Sequence, residues 1–267
     1  SFLRSLFPQN ARDDYDVIFS EPSNPYRAGI ASMYAREFYL AVRQRLRPSG
    51  VFVQWLQAYD VDASSVRTIY ATLAAAFPHI ETWNGLKEDL LLVASGAPLT
   101  IDVDALRARL ATEPFVSALR LAWYDAGVEG FLAHFVANES FSRAAANSGA
   151  PINTDDLSPV EFGFARSARG GTRFTSSSLF GAVLASRSER PVLRAGSVDW
   201  ARIDYQREAF ALAVGSPTSP ERLTPDYRNR FAMLSKWVNA DFAGALSLWS
   251  LFGPRASLSE WTTIERL

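Results

Sequence analysis

Tyr15 to Tyr26 reads YDVIFSEPSNPY, and the reading of this stretch decides the fold. Tyr15, Val17 and Phe19 alternate with Asp16, Ile18 and Ser20, and the run Val-Ile-Phe favours β structure, so a short, buried strand is expected. Pro22 and Pro25 stop it at once, because each removes a backbone donor and restricts the residue before it. Glu21 and Asn24 therefore fall in a stiff loop at the carboxyl end of a strand, which is where open α/β sheets bind ligands.

Working outward, Tyr34, Phe38, Val42 and Leu46 recur every four residues, which predicts an amphipathic crossover helix over 32–47. Pro48-Ser49-Gly50 stops it, and Val51 to Leu56 (VFVQWL) is a second apolar strand with Gln54 inside it. Strand, loop, helix, turn, strand is a βαβ unit with adjacent parallel strands. Asp60 or Asp62 can cap the next helix, whose apolar face is Val66, Ile69, Tyr70, Leu73 and Phe77. His79–Trp83 and Asp89–Ser95 read as two closing strands around the turn signal Asn84-Gly85.

The segment YDVIFSEPSNPYRAGIASMYAREFYLAVRQRLRPSGVFVQW resembles the central part of the spermidine synthases, the polyamine aminopropyltransferases. It is most similar to the bacterial spermidine synthase-like proteins, some of which are fused to membrane segments. The resemblance covers Ser1 to about Gly96 and extends more weakly to INTDDLSPVEF at Ile152–Phe162. It implies a Rossmann-like, methyltransferase-type sheet of which this chain carries the second half, closed by an antiparallel edge pair. It also implies an upstream half with a glycine-rich cofactor loop. This chain contains no G-x-G-x-G stretch, so the expectation is either an upstream half outside it or a truncated relative that has lost the cofactor.

The implied activity is aminopropyl transfer from decarboxylated S-adenosylmethionine to a polyamine. In the family, the loop after this strand carries two aspartates three residues apart. By position, the first falls on Glu21, the expected base, and the second on Asn24, which has lost the charge. Gln54 matches a glutamine that the family keeps near the substrate. Asp155 and Asp156 in Asn153-Thr154-Asp155-Asp156 match a late family segment and would orient the acceptor. Taken alone, that segment reads as a turn that caps the next stretch of chain, and only the resemblance sets acceptor binding level with it.

Two other functions stay open. One is an S-adenosylmethionine-dependent methyltransferase. Asn24-Pro25-Tyr26 suggests the Asn-Pro-Pro-Tyr loop of amino-group methyltransferases, but has one proline too few and lies three residues late. The other is a catalytically silent domain whose helical tail binds a protein.

Composition narrows the field. With 27 Lys and Arg against 28 Asp and Glu, the net charge of -1 gives no reason to expect nucleic acid or an anionic membrane. There is no cysteine, which excludes disulfides and thiolate chemistry. The two histidines, His79 and His134, match no ligand spacing, and no metal is expected. No apolar run reaches the length of a membrane span, and no signal peptide is visible, so a soluble, cytoplasmic protein is expected. The expected partners are a small-molecule polyamine and, through the tail, a second copy or another protein.

The remainder divides by composition. Residues 1–97 are the sheet half, 98–165 a helical extension with the NTDD segment, and 166–267 a linker and helical tail. Leu106, Leu110 and Leu119 predict helices broken near Pro114 and Gly127. Trp123, Tyr124, Phe131 and Phe135 read as packing residues. Arg166–Ser178 (RSARGGTRFTSSS) reads as a linker, with Gly170-Gly171 inside it. Trp200–Val214 and Tyr227–Val238 read as helices, and WVNADFAGALSLWSLF resembles half of a tetratricopeptide-like pair. Trp237, Trp249 and Trp261 read as core or docking residues.

Overall fold

The computed structural model describes residues 15–23, 25, 27, 29–57, 61–85, 89–123, 127–163, 165, 173–216 and 218–252. The chain divides into two compact units, each discontinuous in sequence: residues 1–99 with 136–192, and residues 100–135 with 193–267. This division cuts across the three segments drawn from composition.

The first unit is mixed α/β. Its sheet is built from β1 Tyr15–Ser20, β2 Leu46–Gln57, β3 His79–Asn84, β4 Asp89–Ser95 and β6 Phe135–Ala137, in the order β1-β2-β4-β3-β6. β1 and β2 are parallel neighbours, and helix α1 (Arg36–Arg45) crosses between them, as the periodicity predicts. A single 3-10 turn, Ala31–Tyr34, precedes α1, and the helix ends at Arg45 rather than Arg47. Pro48-Ser49-Gly50 is not a free turn but part of β2, where the register jumps from Tyr15↔Leu46 to Val17↔Val51. Gly50 is required there, because a Cβ would lie 2.8 Å from the Tyr15 carbonyl oxygen.

β4 runs antiparallel to both β2 and β3, so β3 runs in the same direction as β1 and β2. The β3–β4 hairpin is therefore the expected antiparallel pair. It does not close the sheet, because β4 lies inside, against β2, and β6 lies beyond β3. A three-residue strand after an Ala- and Leu-rich stretch leaves no period to detect.

One sheet face carries the core. Phe52 and Leu56 of β2, Leu90, Leu92 and Ala94 of β4 and Ile80 of β3 pack with Phe38, Tyr39 and Val42 of α1. Val66, Ile69, Tyr70 and Leu73 of helix α2 (Ala63–Ala74) complete it. Phe52 sits at its centre, stacked on Phe77 at 5.8 Å and tilted against Tyr39 at 5.7 Å. Asp62 caps α2 by accepting from the Ser65 N–H at 2.9 Å, while Asp60 lies outside the described residues.

The opposite face is different. Tyr15, Val17 and Phe19 on the edge strand β1 are 44%, 56% and 55% exposed. Val51, Val53 and Trp55 of β2 and Leu91 and Val93 of β4 are only half-buried, and the core cluster takes in none of them. The expectation of a buried β1 is thus corrected: the apolar alternation is real, but its outward row is uncovered.

The linker expectation is also corrected in part. Gly170-Gly171 lies outside the described residues, but Phe174 is buried and donates its N–H to the Val61 carbonyl at 3.0 Å. Thr175 then caps a helix over Ser176–Ala185, so the serine run is a helical first turn.

The second unit is mostly helical. It holds α3 (Val103–Leu110), α4 (Phe115–Trp123) and α5 (Val128–Leu132), separated near Pro114 and Gly127 as expected. With the Ser176–Ala185 helix as α7 and Glu139–Ala146 of the first unit as α6, the later helices are α8 (Trp200–Ala213), α9 (Pro225–Val238) and α10 (Phe242–Phe252). A two-stranded parallel ladder joins β5 (Ile101–Asp102) to β7 (Leu193–Ala195). His134 is buried in an aromatic stack, 3.7 Å from the Trp123 ring centroid and 4.4 Å from that of Phe210. α9 and α10 form a hairpin in which Met233 and Ala245 pack with Trp237 and Trp249. Trp237 and Trp249 are thus packing residues, whereas Tyr124 and Trp261 lie outside the described residues. No helix among the described residues is long and apolar enough to cross a membrane.

Candidate functional site

β1, β2 and β3 share one direction, so their carboxyl ends lie at one end of the sheet. Because β4 is reversed, its first residue, Asp89, lies at that same end, opposite Gln57. Four segments therefore converge: the loop after Ser20, the end of β2, and the two arms of the β3–β4 turn.

Glu21 is exposed and opens the loop, with Pro22 and Pro25 buried behind it. Asn24 and Tyr26 lie outside the described residues. Gln54 is fully buried, opposite Ser20 in the register. Its Nε2 donates to the Trp55 carbonyl at 3.0 Å and lies 3.5 Å from the Ser20 carbonyl, while its Oε1 has no partner. The Ser20 hydroxyl, also buried, has none either. Unpartnered buried oxygens are rare in folded proteins; these two lie on the core face of the sheet, Gln54 in the row of Phe52 and Leu56 three residues before the end of β2.

The other half of this end was not legible in the sequence. The Trp55 indole N–H donates to the Asp89 carboxylate, whose Oδ1 is buried without a partner. The Asn84 Oδ1, across the turn, is likewise unpartnered. Burial raises the Asp89 carboxyl from its ordinary value; the Trp55 bond opposes this, and the charge of Glu21 adds to it. Glu21 and Asp89 thus feel each other. The signal was present as a carboxylate opening an apolar strand, but its position depends on β4 being reversed.

Asn153-Thr154-Asp155-Asp156 is a turn docked on the start of α1. The buried Asn153 donates from Nδ2 to the Ala31 carbonyl at 2.9 Å, and its own carbonyl accepts from the Arg36 N–H at 2.9 Å. Thr154 closes the turn: its N–H donates to the Leu157 carbonyl, and its hydroxyl accepts from the Leu157 N–H at 3.0 Å. Asp155 donates its backbone N–H to Glu37 at 3.2 Å, and the side chains of Asp155 and Asp156 are exposed. Burial raises the Asp155 carboxyl, and the charges of Glu37 and Asp156 raise it further. α1 begins where the loop from Glu21 ends, so the turn sits at the same end of the sheet as Glu21. No hydrogen bond among the described residues joins Asp155 or Asp156 to Glu21 or Gln54.

Two grooves lie elsewhere, along α2. One of about 300 Å³ is lined by Ala71, Phe77, Glu139 and Ser142, and one of about 310 Å³ by Tyr70, Phe141, Phe174 and Leu179. Neither includes Glu21, Gln54 or Asp89. His79 faces Glu139 at 2.6 Å beside the first. No group of three or more metal-ligating side chains occurs among the described residues. Neither a family model nor a curated protein matches this sequence.

Proposed function

We propose that this chain is the acceptor-binding half of a spermidine synthase-like transferase, moving an aminopropyl group from decarboxylated S-adenosylmethionine to a polyamine. The observation that carries the reading is the sheet itself. Three strands run one way, a reversed β4 lies between β2 and β3, and the loop that begins with Glu21 opens at their carboxyl ends. This is the topology that the second half of a methyltransferase-type Rossmann sheet would have, and the resemblance of Tyr15–Trp55 points to the same family. The uncovered face of β1, β2 and β4 fits a sheet that is continued and covered by an upstream half.

In the reaction, the acceptor nitrogen forms a bond to the terminal carbon of the aminopropyl group as the carbon–sulfur bond breaks. The sulfur takes the electron pair and leaves as a neutral thioether, so no acid is needed. The difficulty is the nucleophile. A primary amine titrates near pH 10, like lysine, and arrives protonated. Glu21 accepts its proton, and the buried Gln54 fixes the floor of the site. Glutamate in place of the family's aspartate extends the carboxylate by one methylene, so the acceptor must sit correspondingly further from the strand end.

The donor is not held by any glycine-rich loop of this chain. The reading therefore assigns its cradle to the upstream half and takes no step through residues here. A methyltransferase would use the same sheet, and the donor separates the two. The test is a competition in the intact protein between decarboxylated and ordinary S-adenosylmethionine, with diamines as acceptors. The expected product is an aminopropylated amine, formed only from the decarboxylated donor. Methyl transfer instead would replace this reading with the methyltransferase one.

A further inference from the structure

We infer that Asp89 is the second carboxylate of the acceptor site, holding the far ammonium of a diamine whose near amine faces Glu21. The inference rests on the transferase reading, which supplies the acceptor. The placement itself comes from the strand register. Ser20, at the end of β1, pairs with Gln54, and Asp89, at the start of β4, pairs with Gln57 on the other side of β2. Strands that flank a common neighbour are about 10 Å apart. Glu21, one residue past the end of β1, and Asp89 therefore stand on either side of the end of β2, a separation that a short diamine can bridge.

The hydrogen bonding is consistent with a missing cation. One side of the Asp89 carboxylate accepts from the Trp55 indole, and Oδ1 is buried without a partner. Asp89 pairs with Gln57 and so shares the sheet face of Trp55, whereas Gln54 lies on the core face with Phe52 and Leu56 and takes no part in this pair. A carboxylate oxygen only accepts, and an ammonium, with three donors and no acceptor, is the group complementary to the Asp89 Oδ1. Neither Glu21 nor Asp89 has an ion-pair partner among the described residues. The two like charges therefore repel until a cation comes between them.

This arrangement also answers the loss of charge at Asn24. The family's pair of acids lies on one loop; here the second would come from a different strand. The same total charge would then be presented across β2 rather than along the loop, which favours a doubly charged acceptor over a singly charged one.

The test uses the full chain with 1,4-diaminobutane and n-butylamine as probes, measured by calorimetry. Wild type should bind the diamine at least tenfold more tightly than the monoamine. Asp89→Asn, which keeps the shape and can still accept from Trp55, should bring diamine affinity down to the monoamine level, and Asp89→Glu should restore part of it. Thermal melts establish that each variant is folded. In the intact enzyme, Asp89→Asn should raise KM for the diamine more than it lowers kcat. If Asp89→Asn leaves the ratio of diamine to monoamine affinity unchanged, the inference fails, whether or not transfer occurs. A wild type that does not discriminate the two amines also overturns it. Asp89-dependent diamine binding without aminopropyl transfer to any acceptor would retain the amine site and remove the transferase reading.

Discussion

The Tyr70 hydroxyl lies 2.6 Å from the Thr82 Oγ1, joining α2 to β3 inside the core. Both residues are buried, and burial pushes the phenol well above its ordinary range, so it stays neutral. Tyr70→Phe should cost about 1–3 kcal/mol, because it leaves the Thr82 hydroxyl in the core without its partner. Adding Thr82→Val should recover part of the loss, since neither polar group then remains. Denaturant melts of the two single variants and the double variant read the coupling directly.

Asp62 ties the start of α2 twice, through the Ser65 N–H at 2.9 Å and the Ser65 hydroxyl at 2.8 Å. It is buried, and α2 supplies much of the core. Asp62→Ala should therefore lower stability by about 1–2 kcal/mol, near the upper end for a helix cap. Asp62→Asn, which keeps one acceptor, should lose less. A cap of no consequence would show the same melting curve for all three proteins.

Two phenylalanines on neighbouring strands should behave oppositely. Phe52 is 0% exposed and lies at the centre of the aromatic cluster, so Phe52→Ala should cost about 3–5 kcal/mol. Phe19 is 55% exposed on β1, so Phe19→Lys should change the stability of residues 1–267 by no more than about 0.5 kcal/mol. In a longer protein whose upstream half covers this face, the same Phe19→Lys should become strongly destabilising. Comparing the two backgrounds tests whether the open face is covered in the intact molecule.

Legibility in the sequence tracks how local each signal is. β1, α1 and β2 were legible because Pro22, the four-residue spacing from Tyr34 and the VFVQWL run each act within a few residues. The position of β4 between β2 and β3 was not, because strand order is set by pairing between distant segments. That single unknown hid Asp89, whose place at the carboxyl ends depends on the reversal. The exposure of Tyr15, Val17 and Phe19 was hidden for another reason: alternation reports an apolar row, not whether anything covers it. Phe174 was masked by its Ser, Arg and Gly neighbours, although one aromatic in a polar stretch is a sign of anchoring. Asn153 was singled out only as part of a turn, yet its side chain holds the start of α1.

Glu81 makes stability depend on pH in an unusual direction. It is 5% exposed on β3, and burial pushes its carboxyl up to about 7, with a Trp83 hydrogen bond opposing the rise. The unfolded carboxyl releases its proton near 4.5, so between about 4.5 and about 7 the folded chain holds a proton that the unfolded chain does not. The contribution of Glu81 is full below about 4.5 and is lost as pH rises through about 7, by an amount on the order of 3 kcal/mol. Glu81→Gln should flatten the profile over that window and be the more stable protein above it. Denaturant melts from pH 4 to pH 8 give the comparison, and parallel profiles for the two proteins would show that Glu81 carries no such linkage.

The loop after β1 can be tested from both of its polar positions, in the intact protein. Glu21→Gln keeps the side-chain shape, so the fold and donor affinity should be retained while a proton acceptor and one charge are lost. General bases contribute about a hundred- to ten-thousandfold, and the loss should fall on turnover. Asn24→Asp works in the other direction, placing a second acid on the loop. It should tighten diamine binding, and added salt should weaken that gain, because charges in an accessible loop are screened. The two variants have to be read together with Asp89→Asn. If Asp89 already supplies the second acid, Asn24→Asp should add little in wild type and much more when Asp89 has been replaced, because only then is one end of the diamine unheld. Equal gains in both backgrounds would mean that positions 24 and 89 act on different parts of the ligand. Full aminopropyl transfer by Glu21→Gln would remove the loop from the chemistry and leave Asp89 as a site for amine binding alone.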